Sequence, residues 1–145
     1  MGQYFIAVNT ESREFIHPHR FGDGLKFFEV CGSSSGFLAG LALLLKKTDN
    51  GEPPSEVVQG ALPAITGSWA GCKVTLIGDY DSEGLYQIAS EVYKDVSFDV
   101  IRVMAKDAIT KEQLKHKLSY NFAEGMGDLM ADADERAFYR EIFDE

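Results

Sequence analysis

At 145 residues, with a formal charge of −9 and a pI near 4.8, the chain is of a size for one domain that buries roughly two-thirds of its unfolded surface. A hydrophobic content of 45% and an aromatic content of 12% exclude a disordered chain. The negative balance argues against direct nucleic-acid binding, which needs Lys and Arg on phosphates, and against anionic membranes; a protein partner with a basic surface is what such a field attracts.

Gln3 to Val8 is short and rich in β-formers, so it predicts a strand, and Glu14 to His17 predicts a second. Asn9-Thr10-Glu11-Ser12 between them supplies turn chemistry for an antiparallel hairpin, and Pro18, with no N–H to donate, is expected to end the pairing or to sit at an edge. Leu25 to Val30 reads as a short strand or a helical turn. Gly32-Ser33-Ser34-Ser35-Gly36 leads into Phe37 to Leu45, which is apolar on every side and predicts a buried helix capped by one of the serines. That run is far too short to span a bilayer. Asp49-Asn50-Gly51 and Pro53-Pro54 break the chain, and Ser55 to Leu62 predicts a short helix stopped by Pro63.

Lys73 to Ile77 is the clearest strand pattern and is expected at the centre of the fold, beside the only Trp, Trp69. Ser82 is the expected N-cap of a helix whose inner face is Leu85, Ile88, Ala89 and Val92, spaced i, i+3, i+4 and i+7. Phe98 to Ala105 is ambiguous between strand and helix. Its β-branched Val100, Ile101 and Val103 tilt the expectation toward a strand parallel to Lys73–Ile77. Thr110-Lys111-Glu112-Gln113 matches a capping box and starts a helix to about Leu118. Asp128 to Phe143 predicts a last helix with Leu129, Met130, Ala133, Ala137 and Phe138 inside. The expected whole is a single α+β domain, residues 1–145: a small mixed sheet with an N-terminal hairpin, a buried central helix and a helical C-terminal third.

Several short motifs carry a resemblance. Met1-Gly2-Gln3-Tyr4, Val8-Asn9, His17-Pro18-His19, Gly22-Asp23-Gly24-Leu25-Lys26, Trp69-Ala70-Gly71 and Gly78-Asp79-Tyr80 together resemble a scattered set of small bacterial and phage proteins with no assigned activity. The resemblance covers roughly residues 1–95. It implies a prokaryotic or phage origin and carries over no catalytic residue.

Two groups of residues suggest chemistry. In an extended segment His17 and His19 point the same way, and with Asp79 and Asp81 they offer ligands for a divalent metal that activates water. The plainer reading is two histidines hydrogen-bonded beside a turn. Asp79, Asp81 and Glu83 are candidates for a carboxylate site, since close like charges separate their pKa values. Equally, acids ahead of a helix suit its positive end. Ser33 to Ser35 resemble a phosphate cradle only weakly, because no Gly-Lys-Ser or Gly-Lys-Thr follows. Cys31 lacks an identifiable His base. With Cys72 it predicts two reduced, buried thiols in a chain without a secretory leader, hence the cytoplasm of a bacterial host cell.

Charge is concentrated past residue 120. Residues 121–145 hold eight acids (Glu124, Asp128, Asp132, Asp134, Glu135, Glu141, Asp144, Glu145) against Arg136 and Arg140, which is −6 of the total −9. The favoured expectation is therefore a small acidic binding module without a cofactor, an inhibitor of the counter-defence or immunity type. Asp128, Asp132, Asp134, Glu135, Asp79, Asp81 and Glu83 would dock on a target's basic, nucleic-acid-binding surface. The competing expectation is a metal-dependent hydrolase using His17, His19, Asp79 and Asp81.

Overall fold

The computed structural model describes residues 3–24, 26–31, 35–46, 65–123 and 133–143. The expected helix 55–62, and residues 128–132 of the expected helix 128–143, lie outside these residues. Within them the fold is α+β, with a four-stranded mixed sheet and six helices.

The hairpin forms as its composition dictates. β1 (Phe5–Asn9) and β2 (Glu14–Ile16) pair antiparallel with Asn9 opposite Glu14. The buried Asn9 side chain holds the turn, its Oδ1 accepting the N–H groups of Glu11 and Ser12 at 3.0 and 3.1 Å. Pro18 ends the ladder and opens a 3₁₀ turn, Pro18–Phe21.

Among the described residues β3 (Val74–Gly78) pairs antiparallel with β1 alone, and the strand order is β3-β1-β2-β4. The strand expected at the centre of the fold is therefore an edge. Its neighbours explain why: β1 is buried on both faces from Ile6 to Asn9, whereas Thr75 and Leu76 of β3 are exposed. β4 is only Lys94–Asp95, parallel to β2. Ile6, Val8 and Phe15 face α3 (Leu85–Val92), and Ala7 and Ile16 face the larger core. That core is built from α2 (Phe37–Leu45), α4 (Ser97–Met104), α5 (Ala108–Ala123) and α6 (Ala133–Phe143). α1 (Phe27–Val30) is a single helical turn.

Residues 98–105 are helical, against the slight lean toward a strand. Val100, Ile101, Val103 and Met104 are buried on one side of α4, where packing against α2 outweighs β propensity. The parallel pairing expected there falls instead at β2 and β4. α4 approaches α2 closely at Gly40, where a Cβ would press on Val100 and Phe21.

The caps also differ from expectation. α2 is capped by Asp23, whose Oδ2 accepts the Phe37 N–H at 2.7 Å, and among the described residues Ser35 is turned to Gln113 instead. Asp23 also binds Lys117 Nζ of α5 at 3.0 Å, so one buried carboxylate joins two helices. At the other end of α2, the N–H groups of Gly67 and Trp69 satisfy the Leu43 and Leu44 carbonyls. Gly67 sits at φ +73° with the Lys46 carbonyl where a Cβ would go. Trp69 is fully buried, its indole N–H donating to Glu14 Oε1 at 2.9 Å. α2 is not buried all round: Phe37, Gly40 and Leu44 face the core, and Leu38, Ala42 and Leu45 are exposed.

α5 begins before the expected capping box because Asp107 caps it, accepting from the Thr110 N–H and hydroxyl at 3.0 and 2.7 Å. These bonds hold the Asp107 carboxyl below its usual range. The inner face of α3 keeps two of the four residues its spacing predicts, Leu85 and Ala89. Leu85, Tyr86 and Ala89 line the core with Tyr93, just past the helix end, while Ile88 and Val92 are exposed.

Candidate functional site

The turn from β3 to α3 is tightly built. Asp79 pairs with Tyr4 in both directions, its N–H donating to the Tyr4 carbonyl at 2.9 Å and its Oδ1 accepting the Tyr4 N–H at 3.0 Å. The Asp81 N–H donates to the Gly78 carbonyl, the Gly84 N–H donates to the Asp81 carbonyl, and Asp81 Oδ2 accepts the Leu85 N–H at 3.0 Å. Asp81 thus caps the helix in place of Ser82, and Gly84 supplies the left-handed conformation (φ +75°) that lets the chain enter α3. Tyr80 is 65% exposed between the two aspartates, with Glu83 also exposed. Tyr86 packs beneath them. Burial first, then Asp79 and Tyr4, raises its phenol pKa, so it stays neutral. Two of the three carboxylates thus spend hydrogen bonds on the turn while the aromatic between them faces outward.

His17 and His19 do come together. Their rings stack with centroids 5.6 Å apart, although the segment is a 3₁₀ turn and not extended. His17 Nδ1 accepts the His19 N–H at 3.3 Å, which places the proton of the neutral ring on Nε2. Burial, then the neighbouring His19, drives the His17 pKa down to about 4, with Asp95 opposing. His19 is lowered as well, by burial, with Glu29 opposing and Arg20 assisting. Asp79 and Asp81 are not brought to this pair. His17 follows β2, Asp79 follows β3, and β1 runs between them, which separates the two strands by about 10 Å. Among the described residues no three His, Cys, Asp or Glu side chains are grouped to hold a metal. Ser97 lies beside His17, its Oγ accepting the His17 backbone N–H at 2.8 Å.

Arg20, next in this turn, drew no attention in the sequence and proves to be a hub. Its Nε binds Asp95 Oδ2 at 3.2 Å, its Nη1 pairs with Glu135, and its guanidinium lies 4.8 Å above the Phe98 ring. The Tyr139 hydroxyl donates to the Arg20 carbonyl at 2.7 Å. Burial works against the charge, and Glu135 and Asp95 more than restore it.

That pairing corrects one expected docking residue. Glu135 is buried and spent on Arg20, because α6 turns this acid inward together with Phe138, Tyr139 and Phe143. Asp134 is exposed as a docking residue must be. Asp128 and Asp132 lie outside the described residues. Glu141 reaches back to Arg102 at 3.1 Å, and Ala137, expected inside, is exposed. Of the serine run, Ser33 and Ser34 lie outside the described residues, and the buried Ser35 donates to Gln113 of α5. Cys31 is exposed at the end of α1, contrary to the expectation of two buried thiols.

Comparison of the chain with protein-family profiles, with curated proteins and with solved structures finds no match in any of the three. No described helix is long and apolar enough to cross a membrane.

Proposed function

We propose that the chain is an acidic binding module that docks on a basic protein surface through the β3–α3 turn. The observation that carries this reading is Tyr80, 65% exposed between Asp79 and Asp81 on a turn already fixed by backbone and carboxylate hydrogen bonds. Exposed tyrosines are favoured anchors at interfaces, and a turn ordered before binding loses little entropy on docking. Glu83 and Asp134 add to the field that steers a cationic partner, while the whole-chain charge of −9 sets its sign. A nucleic-acid-binding protein of the host cell presents such a basic surface. The motif resemblance to bacterial and phage proteins supports an inhibitor acting in the cytoplasm.

The test is capture from a native host extract at low and high salt, followed by affinity measurement on the purified partner. Tyr80→Ala and Glu83→Lys are expected to weaken binding at least tenfold each while the fold is unchanged. Equal affinity for both variants and wild type would remove the turn from the interface.

A further inference from the structure

We infer that two copies of this chain join through the free edge of β3, in an antiparallel pairing centred on Leu76. Among the described residues no strand pairs with that edge, since β3 stands last in the sheet order. Thr75 and Leu76 point to opposite faces and both are exposed, so the strand is open on both sides at its middle. The devices that blunt an edge are missing there. Val74 to Gly78 contains no charge, no proline and no extra residue against β1.

The register of the β1 pairing decides which groups are on offer. Asp79 donates to the Tyr4 carbonyl and Thr10 donates to the Lys73 carbonyl, so the odd-numbered residues of β3 spend their backbone groups on β1. By the alternation of an antiparallel ladder, Val74, Leu76 and Gly78 turn theirs outward. An antiparallel partner of identical sequence centred on Leu76 then sets Leu76 against Leu76, Val74 against Gly78, Thr75 against Ile77 and Lys73 against Asp79. Leu76 exchanges both its bonds with its counterpart. Gly78 is buried against the Gln3 side chain and its carbonyl is occupied by Asp81, so the backbone bonds of the pairing are the two that the exposed Leu76 exchanges with its counterpart.

Charge selects this register. Lys73 and Asp79 flank the strand, both are exposed, and they carry opposite signs at equal distances from Leu76. Self-pairing therefore brings each Lys73 against an Asp79 of the second copy, at the positions of the ladder where side chains approach most closely. A parallel arrangement would oppose like charges at both ends. A shift along the antiparallel ladder would break both ion pairs. The result is an isologous dimer with one eight-stranded sheet, since each sheet contributes four strands. Tyr80 lies just past the paired residues at each end of the joined strands, and Asp79 serves both turn and seam: its Oδ1 holds the Tyr4 N–H, and its other oxygen is the one that meets Lys73 of the second copy.

The test is sedimentation of the full chain over a range of concentrations, for wild type, Leu76→Pro, Lys73→Asp and the double exchange Lys73→Asp with Asp79→Lys. Proline at 76 removes an outward N–H and leaves the β1 bonds, as an edge position allows. A concentration-dependent dimer is expected for wild type, monomer for Leu76→Pro and Lys73→Asp, and recovery of the dimer in the double exchange. As an independent readout, Leu76→Cys in a Cys31→Ser, Cys72→Ser background is expected to form a disulfide-linked dimer on mild oxidation, and Thr75→Cys is not. A wild-type monomer at every concentration, or a dimer untouched by Leu76→Pro, overturns the pairing. So does crosslinking of both cysteine variants alike.

Discussion

Replacing His17 by Asn separates the electrostatic cost of the buried imidazole from its hydrogen bond. Asn offers its Oδ1 where His17 Nδ1 accepts the His19 N–H, so the cap of the 3₁₀ turn survives without a group that titrates near neutrality. The sign follows from the two pKa values. The unfolded chain takes up the proton near 6.5, while the folded ring resists until about 4. Stability is thus fully present above 6.5 and is lost as the pH falls toward 4. Between about pH 7.5 and about pH 4.5 this single group removes about 2.5 kcal/mol from the wild type, a change that the Asn variant lacks. His19, shifted the same way, remains in both proteins and cancels in the comparison to first order. Urea unfolding at the two pH values, followed by far-UV circular dichroism, measures the difference. Superimposed pH profiles for the two proteins would refute the buried, neutral His17.

Glu135→Gln is expected to cost about 3 kcal/mol in chemical denaturation, because Arg20 keeps Asp95 but loses its more buried partner; a docking role alone would leave stability untouched. Gly36→Ala places a Cβ onto the Asp23 carboxylate and the Lys117 ammonium and is expected to cost about 2 kcal/mol, read as a lower thermal midpoint. Asp23→Asn is expected to cost about 3 kcal/mol in chemical denaturation, since the amide oxygen can still accept the Phe37 N–H but the Lys117 ammonium loses its buried carboxylate.

What could be read from the sequence was local. The hairpin was legible because β-formers flank an Asn that folds its own turn, and Pro18 marks the end of pairing without any tertiary help. α2 follows from its run of apolar residues. The errors fall where a distant contact decides. Asp23 caps a helix 14 residues away, and Arg20 meets Glu135 across 115 residues, separations that no local pattern encodes. A two-residue β4 has no periodicity to detect, and α4 is helical because α2 offers its β-branched residues a surface. The strongest strand pattern, Lys73 to Ile77, identified a strand correctly and its place wrongly, since a run of apolar residues does not say how many neighbours it has.

For the candidate site, the sequence located the β3–α3 turn but assigned its acids to chemistry or docking alike. The structure divides the labour: Asp79 and Asp81 accept backbone N–H groups, and Tyr80 and Glu83 face out. The net-charge pattern pointed to the C-terminal helix as a whole, yet charge counting cannot tell an inward Glu135 from an outward Asp134.

The most direct test of the docking account is the affinity of the purified host partner for wild type, Tyr80→Ala and Glu83→Lys at low and high salt, with circular dichroism confirming that each variant is folded. The account predicts salt-sensitive binding to a basic protein, weakened at least tenfold by either substitution. Binding that is indifferent to salt and to both substitutions would contradict it.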